Sequence, residues 1–202
     1  MLDWTKTLSD AAVAPQALSS EATGILIGTR IATNFGWRNV EALCLGDMVL
    51  TFDHGFRSIV GLRRVVLWDG RGTCPVFLLP LKIKRGLLEN AQPKHVLPMQ
   101  GVMVESDAAE DYRGDPFAVL MPSAIERYGL AEKVHQSEPL EVVLLEFDEE
   151  EVIYGECGLH YFIPKPEDIL CEDVPQNGSY KILNDEETLE VLDELYTVFL
   201  NI

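Results

Sequence analysis

The chain has 202 residues, 47% of them hydrophobic, which is enough for one well-buried domain with small appendages. A formal charge of −17 sets it against nucleic acid and anionic membrane surfaces, because phosphate binding runs on Lys and Arg, so neither is expected as a partner. No apolar stretch approaches bilayer-spanning length, and residues 1–23 lack the basic start and apolar core of a secretory signal, so a cytoplasmic location is expected.

Residues 1–23 are rich in Ala and Ser and interrupted by Pro15. They read as a flexible arm with a helical turn after Ser9 and Trp4 as its docking residue. From Gly24 onward, short β-type runs alternate with turn residues. Gly28 to Thr33 is a strand, Asn34-Phe35-Gly36 a turn, and Gly46-Asp47 feeds the strand Met48 to Thr51. Asp53-His54-Gly55 reverses the chain into a strand from Ser58 to Val66. Arg57, Arg63 and Arg64 there are expected to pair with the chain's own carboxylates. Val76 to Lys84 alternates as a strand despite Pro80. Gly86 to Asn90 turns, and Val96 to Val104 carries the next strand. Glu105 to Asp115 reads as an exposed loop, its acids showing no repeated ligand spacing. Pro122 to Tyr128 is a short helix with Pro122 at its first position. Leu140 to Glu146 and Glu151 to Gly155 are expected to pair as a hairpin turning at Asp148-Glu149-Glu150.

After Pro164-Lys165-Pro166 the composition shifts, and residues 165–202 read as an acidic extension. Asn184 followed by Glu187 is a capping-box pattern, with acids in the first turn where the helix dipole favours them, which predicts a helix over 185–200. Leu189, Leu192, Leu195, Tyr196 and Phe199, joined by Val198 and Ile202, make a wide apolar stripe. Burying each large side chain is worth about 1.5–3 kcal/mol, so the stripe needs a cover. Packing on the β body of the same chain is the first expectation. A homodimer or protein partner held through this helix is the second.

The cysteines Cys44, Cys74, Cys157 and Cys171 are scattered, without a CxxC and without His at ligand spacing, so no metal is expected. They read as small hydrophobes in a reducing compartment. A Cys157–Cys171 bridge stays open. No motif calls for a cofactor.

The stretch GTRIATNFGWRNVEALCLGDMVLTFDHG, Gly28 to Gly55, resembles the opening of Hedgehog/intein (Hint) domains, particularly the bacterial ones. Pro93-Lys94-His95-Val96-Leu97 is similar to the family's second block, where a Thr or Ser stands three residues before a His. Ala118 to Ile125 resembles a later segment, and Leu144 to Pro164 the closing hairpin. The resemblance implies a mainly β, horseshoe-shaped Hint-type fold over residues 24–164, followed by the C-terminal α-helix.

It also implies a chemistry. Hint autoprocessing is an acyl shift in the protein's own backbone. It needs a thiol or hydroxyl at the first residue, a base to activate it, and a group that protonates the departing nitrogen. The register places that first residue at Gly24, which has no side chain. The Thr or Ser of the second block falls on Gln92. His95 is retained, and Asp148 keeps the acid of the closing hairpin. The hairpin's His position is Glu150, and His160 stands where relatives carry an acid. His95, Asp148 and His160 are therefore candidate remnants of a site whose nucleophile position is vacated. The leading expectation is a Hint scaffold without self-cleavage, acting as a binding or assembly module rather than an enzyme. The alternative is autoprocessing by a displaced hydroxyl, with Thr23 nearest and Ser19 and Ser20 beyond, although a one-residue shift turns a strand side chain to the other face. A third reading reuses the pocket for another reaction, with His95 as base and Asp148 or Glu150 beside it. The other histidines read as structural, His54 in a turn and His135 exposed.

Overall fold

Fourteen short strands, three α-helices and three single turns of 3-10 helix make up the described residues, 22–166 and 180–200, of this computed structural model. The architecture is mainly β and ends in an α-helix, as expected. The expectations on Trp4, on the turn after Ser9, on Ser19 and Ser20, on Cys171 and on Ile202 lie outside the described residues.

The Gly and Asp turns deliver β1 (Ile25–Leu26), β2 (Arg30–Thr33), β3 (Gly36–Asn39), β4 (Met48–Thr51), β5 (Gly55–Ser58) and β6 (Gly61–Trp68). The single strand expected from Ser58 to Val66 is thus broken. Ile59 is 2% exposed and bonds through its backbone to Gly46 and Asp47 instead of continuing a ladder. Val76–Leu78 is a 3-10 turn, and only after Pro80, which has no amide donor, does β7 (Leu81–Ile83) begin. The run from Val96 to Val104 also divides, into β8 (Lys94–Val96) and β9 (Val102–Glu105).

The polar stretch after Glu105 is a helix, α1 (Asp107–Arg113), rather than a loop. Ser106 caps it by accepting from the Ala109 amide, and Gly114 closes it at φ 72°. Then follow β10 (Phe117–Leu120), α2 (Pro122–Arg127), β11 (Ala131–Lys133), β12 (Leu140–Glu146), β13 (Glu151–Tyr154), β14 (His160–Ile163) and α3 (Asp185–Leu200).

Three sheets result. One has the order β1-β12-β6, another β11-β7-β8, and the largest β10-β9-β14-β13-β4-β2-β3 with β5 paired to β4. The expected hairpin of Leu140–Glu146 with Glu151–Tyr154 does not form. β12 pairs with β1 and β6, whereas β13 pairs with β14 and β4. Phe147, 1% exposed, anchors the crossing from one sheet to the other in the core.

Helix α3 begins as its capping box predicts. The Asn184 side chain accepts from the amides of Glu186 and Glu187, both at 3.0 Å, while Glu187 accepts from the Asn184 amide at 3.0 Å. Its buried face is Thr188, Val191, Leu192 and Leu195, with Phe199 packed against the same core. Leu189 and Tyr196 remain 49% and 38% exposed, so the buried face is rotated from the expected stripe; Leu192 and Leu195 pack into the chain's own core, where α3 lies against α1 and α2 rather than chiefly on the β body. Glu194 fastens the helix: its carboxylate accepts from Ser106 Oγ at 2.6 Å and from the amides of Asp107 and Ala108 at 3.1 and 3.0 Å. Just upstream, residues 181–183 lie along β10, where the Val119 amide donates to Lys181 and Leu183 donates back to Val119. No helix among the described residues is long and apolar enough to cross a membrane.

Candidate functional site

The acyl-shift chemistry would sit where the chain enters β1, so the site is built outward from Gly24. The backbone there has φ +114°, a conformation that L side chains rarely adopt. A Cβ at this position would meet Leu144 Cδ2 at 2.9 Å and Val142 Cγ2 at 3.0 Å, both on β12. The position lacks a nucleophile, and the packing around it has closed over the space one would fill.

Gln100 holds that closure. It is 3% exposed and follows the Pro98 turn between β8 and β9. Its Oε1 accepts from the Gly24 amide at 3.1 Å and from Thr23 Oγ1 at 3.4 Å. Its Nε2 donates to the carbonyls of Phe162 at 2.8 Å and Gly101 at 3.2 Å. A primary amide with both ends saturated positions the strand but has no basic atom with which to take a proton. Beside it, the Met99 amide donates at 3.2 Å to the Ala22 carbonyl, the one next to Thr23.

The remaining candidates are dispersed. His95 lies on β8 opposite Lys82, exposed, and bonds to no other described side chain. Its partial burial and the Lys82 ammonium hold its pKa below the usual imidazole value. Gln92 is exposed, its carbonyl accepting from the Asn90 amide group at 2.7 Å. Asp148 lines a cleft of about 250 Å³ with Phe56, Arg57 and Glu151. His160 lines a different cleft, on β14, and burial lowers its pKa. Among the described residues no hydrogen bond, ion pair or ring contact joins His95, Asp148 and His160 to one another.

Two further polar arrangements stand out, of which the sequence signalled only the pairing of Arg57 with a carboxylate. Glu151 is 1% exposed and accepts from His54 Nδ1 at 3.0 Å, with Arg57 Nε 3.3 Å away. Both partners are nearly half exposed, so the buried carboxylate is neutralised from the surface side. His54, a turn residue by sequence, is thus a hydrogen-bond partner of this carboxylate. Glu150, which the sequence resemblance aligns with the family's His, accepts from the Tyr180 amide at 3.0 Å, and the Tyr180 hydroxyl donates to Asp53. Burial and the Asp53 carboxylate push the Tyr180 phenol well above its ordinary value, so it stays a donor. The segment entering α3 is therefore pinned over the β13 end of the large sheet. Among the described residues no group of three or more His, Cys, Asp or Glu is placed to hold a metal ion.

Residues 23–159 match a family model described as "Hint domain". Two similar solved structures are a GSH-linked, splice-inactive variant of the AceL NrdHF class 3 split intein and a bacterial intein-like domain from Clostridium thermocellum solved in solution. The first has 17% identity and a TM-score of 0.35, covering 71% of this chain and 99% of its own. The second has 13% identity and a TM-score of 0.44, covering 69% of this chain and 98% of its own. No curated protein matches.

Proposed function

Since this chain belongs to the Hint-domain family, we propose that it is a member that does not cleave itself and serves as a binding or assembly module. The observation that carries this is Gly24: a positive φ, no side chain, and Leu144 and Val142 where a thiol would stand. The saturated amide of Gln100 supports it, because the group nearest the entering strand is neither base nor acid. The dispersal of His95, Asp148 and His160 over separate parts of the surface supports it further. Recognition by contact is what remains to such a scaffold. Of the described stripe residues on α3, Leu189, Tyr196 and Val198 are the ones left open to a partner or a second copy, since Leu192, Leu195 and Phe199 pack into the chain's own core.

One observation favours the second reading, autoprocessing through Thr23. The Met99 amide already polarises the Ala22 carbonyl that Thr23 would attack, as an oxyanion donor would. Against it, among the described residues the Thr23 hydroxyl finds only Gln100 Oε1, an oxygen too weakly basic to activate it.

The test is intact-mass spectrometry of the full chain fused behind a folded upstream protein, incubated with and without thiol or hydroxylamine. A single species at full mass is expected under every condition. Time-dependent release of the upstream protein would overturn the proposal, and a cut before Thr23 would install the second reading.

A further inference from the structure

The large sheet has a gap where β14 begins. β14 pairs with β9 only at Met103 and Val102, so the edge of β9 at Val104 and Glu105 faces open space rather than a strand. That space is a cleft of about 140 Å³, walled by Phe52, Phe117, Met103, Leu88 and Leu195. Phe52 and Phe117 meet edge to face, with ring centroids 4.8 Å apart, and form one aromatic wall.

Three polar side chains line the same cleft: His160, Glu89 and Glu105. His160 is half-buried between Tyr154 and Phe52, at 4.8 and 6.1 Å between ring centroids, and its ring makes no hydrogen bond among the described residues. Burial holds its pKa down, so near neutral pH it offers one donor and one acceptor, both unused. Glu89 is held at φ 58°, a left-handed conformation uncommon for a residue with a side chain. The neighbouring Asn90, 1% exposed, fixes that turn by accepting from the Leu88 amide and donating to the carbonyls of Lys84 and Gln92. The carboxylate wall is therefore shaped by a buried network.

The charge around the cleft has one sign. Among the described residues Glu89 and Glu105 are exposed and stand without cationic partners, and no Lys or Arg lines the space. Arg85 and Glu194 stand further out, in the open groove that continues past Glu89, Glu105 and Leu195. Glu194 is already held there by the start of α1.

We propose that this cleft is a binding site for a small aromatic amine, its single ring against Phe52, Phe117 and Met103 and its ammonium at Glu89 and Glu105. The size is right: an apolar cavity of about 150 Å³ accepts a benzene ring. His160 takes one ammonium N–H or a ring substituent. The proposal gives the binding role above a ligand class but stands apart from it. Self-cleavage would end that reading and leave the cleft untouched.

The test is calorimetric titration of the full chain near pH 7.5 with three probes of one shape: 2-phenylethylamine, 2-phenylethanol and phenylacetate. Saturable binding is expected for the amine, weaker binding for the alcohol, and the weakest for the acid, about tenfold or more below the amine. Both glutamates are exposed, so the Glu89→Gln/Glu105→Gln variant should fold, and it should bring the amine down to the level of the alcohol. Met103→Trp, filling the cleft, should abolish binding of all three. The proposal is overturned if the amine binds no tighter than the acid, if the double variant leaves its affinity unchanged, or if the unaltered chain gives no saturable signal with it.

Discussion

Placing a thiol at position 24 should fail to give self-cleavage, and should destabilise the chain measurably. Gly24→Cys asks the backbone to keep φ +114° with a side chain attached, which is worth about 1–3 kcal/mol of strain. The new Cβ then presses on Leu144 Cδ2 at 2.9 Å and on Val142 at 3.0 and 3.1 Å. Leu144 can swing its end away, but Val142 is β-branched and paired to Leu26 in the ladder, so crowding adds about 1–3 kcal/mol more. A loss of about 2–6 kcal/mol in urea unfolding is expected. Gly28→Cys separates the two effects. Gly28 has φ +81° with nothing within 4 Å of its Cβ, so that variant should carry the strain alone, about 1–3 kcal/mol. Fused behind an upstream protein, Gly24→Cys should still give one species at full mass, because Gln100 is no base. A Gly24→Cys protein as stable as the unaltered chain, or one that sheds the upstream protein in the presence of thiol, would refute the closed-site explanation.

Other outcomes follow from the same contacts. Gln100→Ala strands the Gly24 amide and the Phe162 carbonyl in a buried site, while the Gly101 carbonyl keeps the Phe162 amide, and should cost about 2–4 kcal/mol by urea unfolding. Glu194→Gln should cost about 1 kcal/mol at neutral pH, since it removes the charge at the start of α1. Burial raises the Glu194 pKa, but the bonds from Ser106, Ala108 and Asp107 together outweigh that and leave it below the ordinary glutamate value. A depressed carboxylate stabilises above its unfolded pKa and loses that as pH falls through the folded one. The Tm gap between the unaltered chain and Glu194→Gln should therefore close on acidification below about pH 4.3 and stay constant well above it. Tyr180→Ala removes the Asp53 bond and the Phe162 ring contact, so hydrogen exchange at Val119 and Leu183, which hold residues 181–183 on β10, should accelerate.

Local chemistry was legible where the signal lay within a few residues. Met48 to Thr51 alternates between turns and is β4; Asn184 and Glu187 cap α3 as written. Helix α1 was within reach of the same rule: Ser106 precedes acids at Asp107 and Glu110, and Gly114 ends the run. Its polarity read as a loop because a helix covered partly by another helix needs few apolar residues of its own. Pairing was not legible in the same way. Leu140 to Glu146 and Glu151 to Gly155 each look like hairpin arms, yet the strands they hold find their partners elsewhere, at β6 and β14. On α3 the period was right and the phase was not, because Leu189 and Val191 are equally apolar and only the neighbouring elements decide which one is buried.

The chain's own order of residues determined the family, through GTRI and the Gly-Asp turn at fixed spacing, and determined that position 24 carries no nucleophile. Both follow from residue identity counted along the backbone, and no folding is needed to count. Tertiary structure decided what surrounds that position. Gln100, 76 residues away, satisfies the Gly24 amide, and Leu144 and Val142 take up the room. It also decided that His95, Asp148 and His160 stand apart and that a cleft opens beside His160. Those outcomes depend on which strands become neighbours, and that is set by the burial of the whole core rather than by any one segment's pattern.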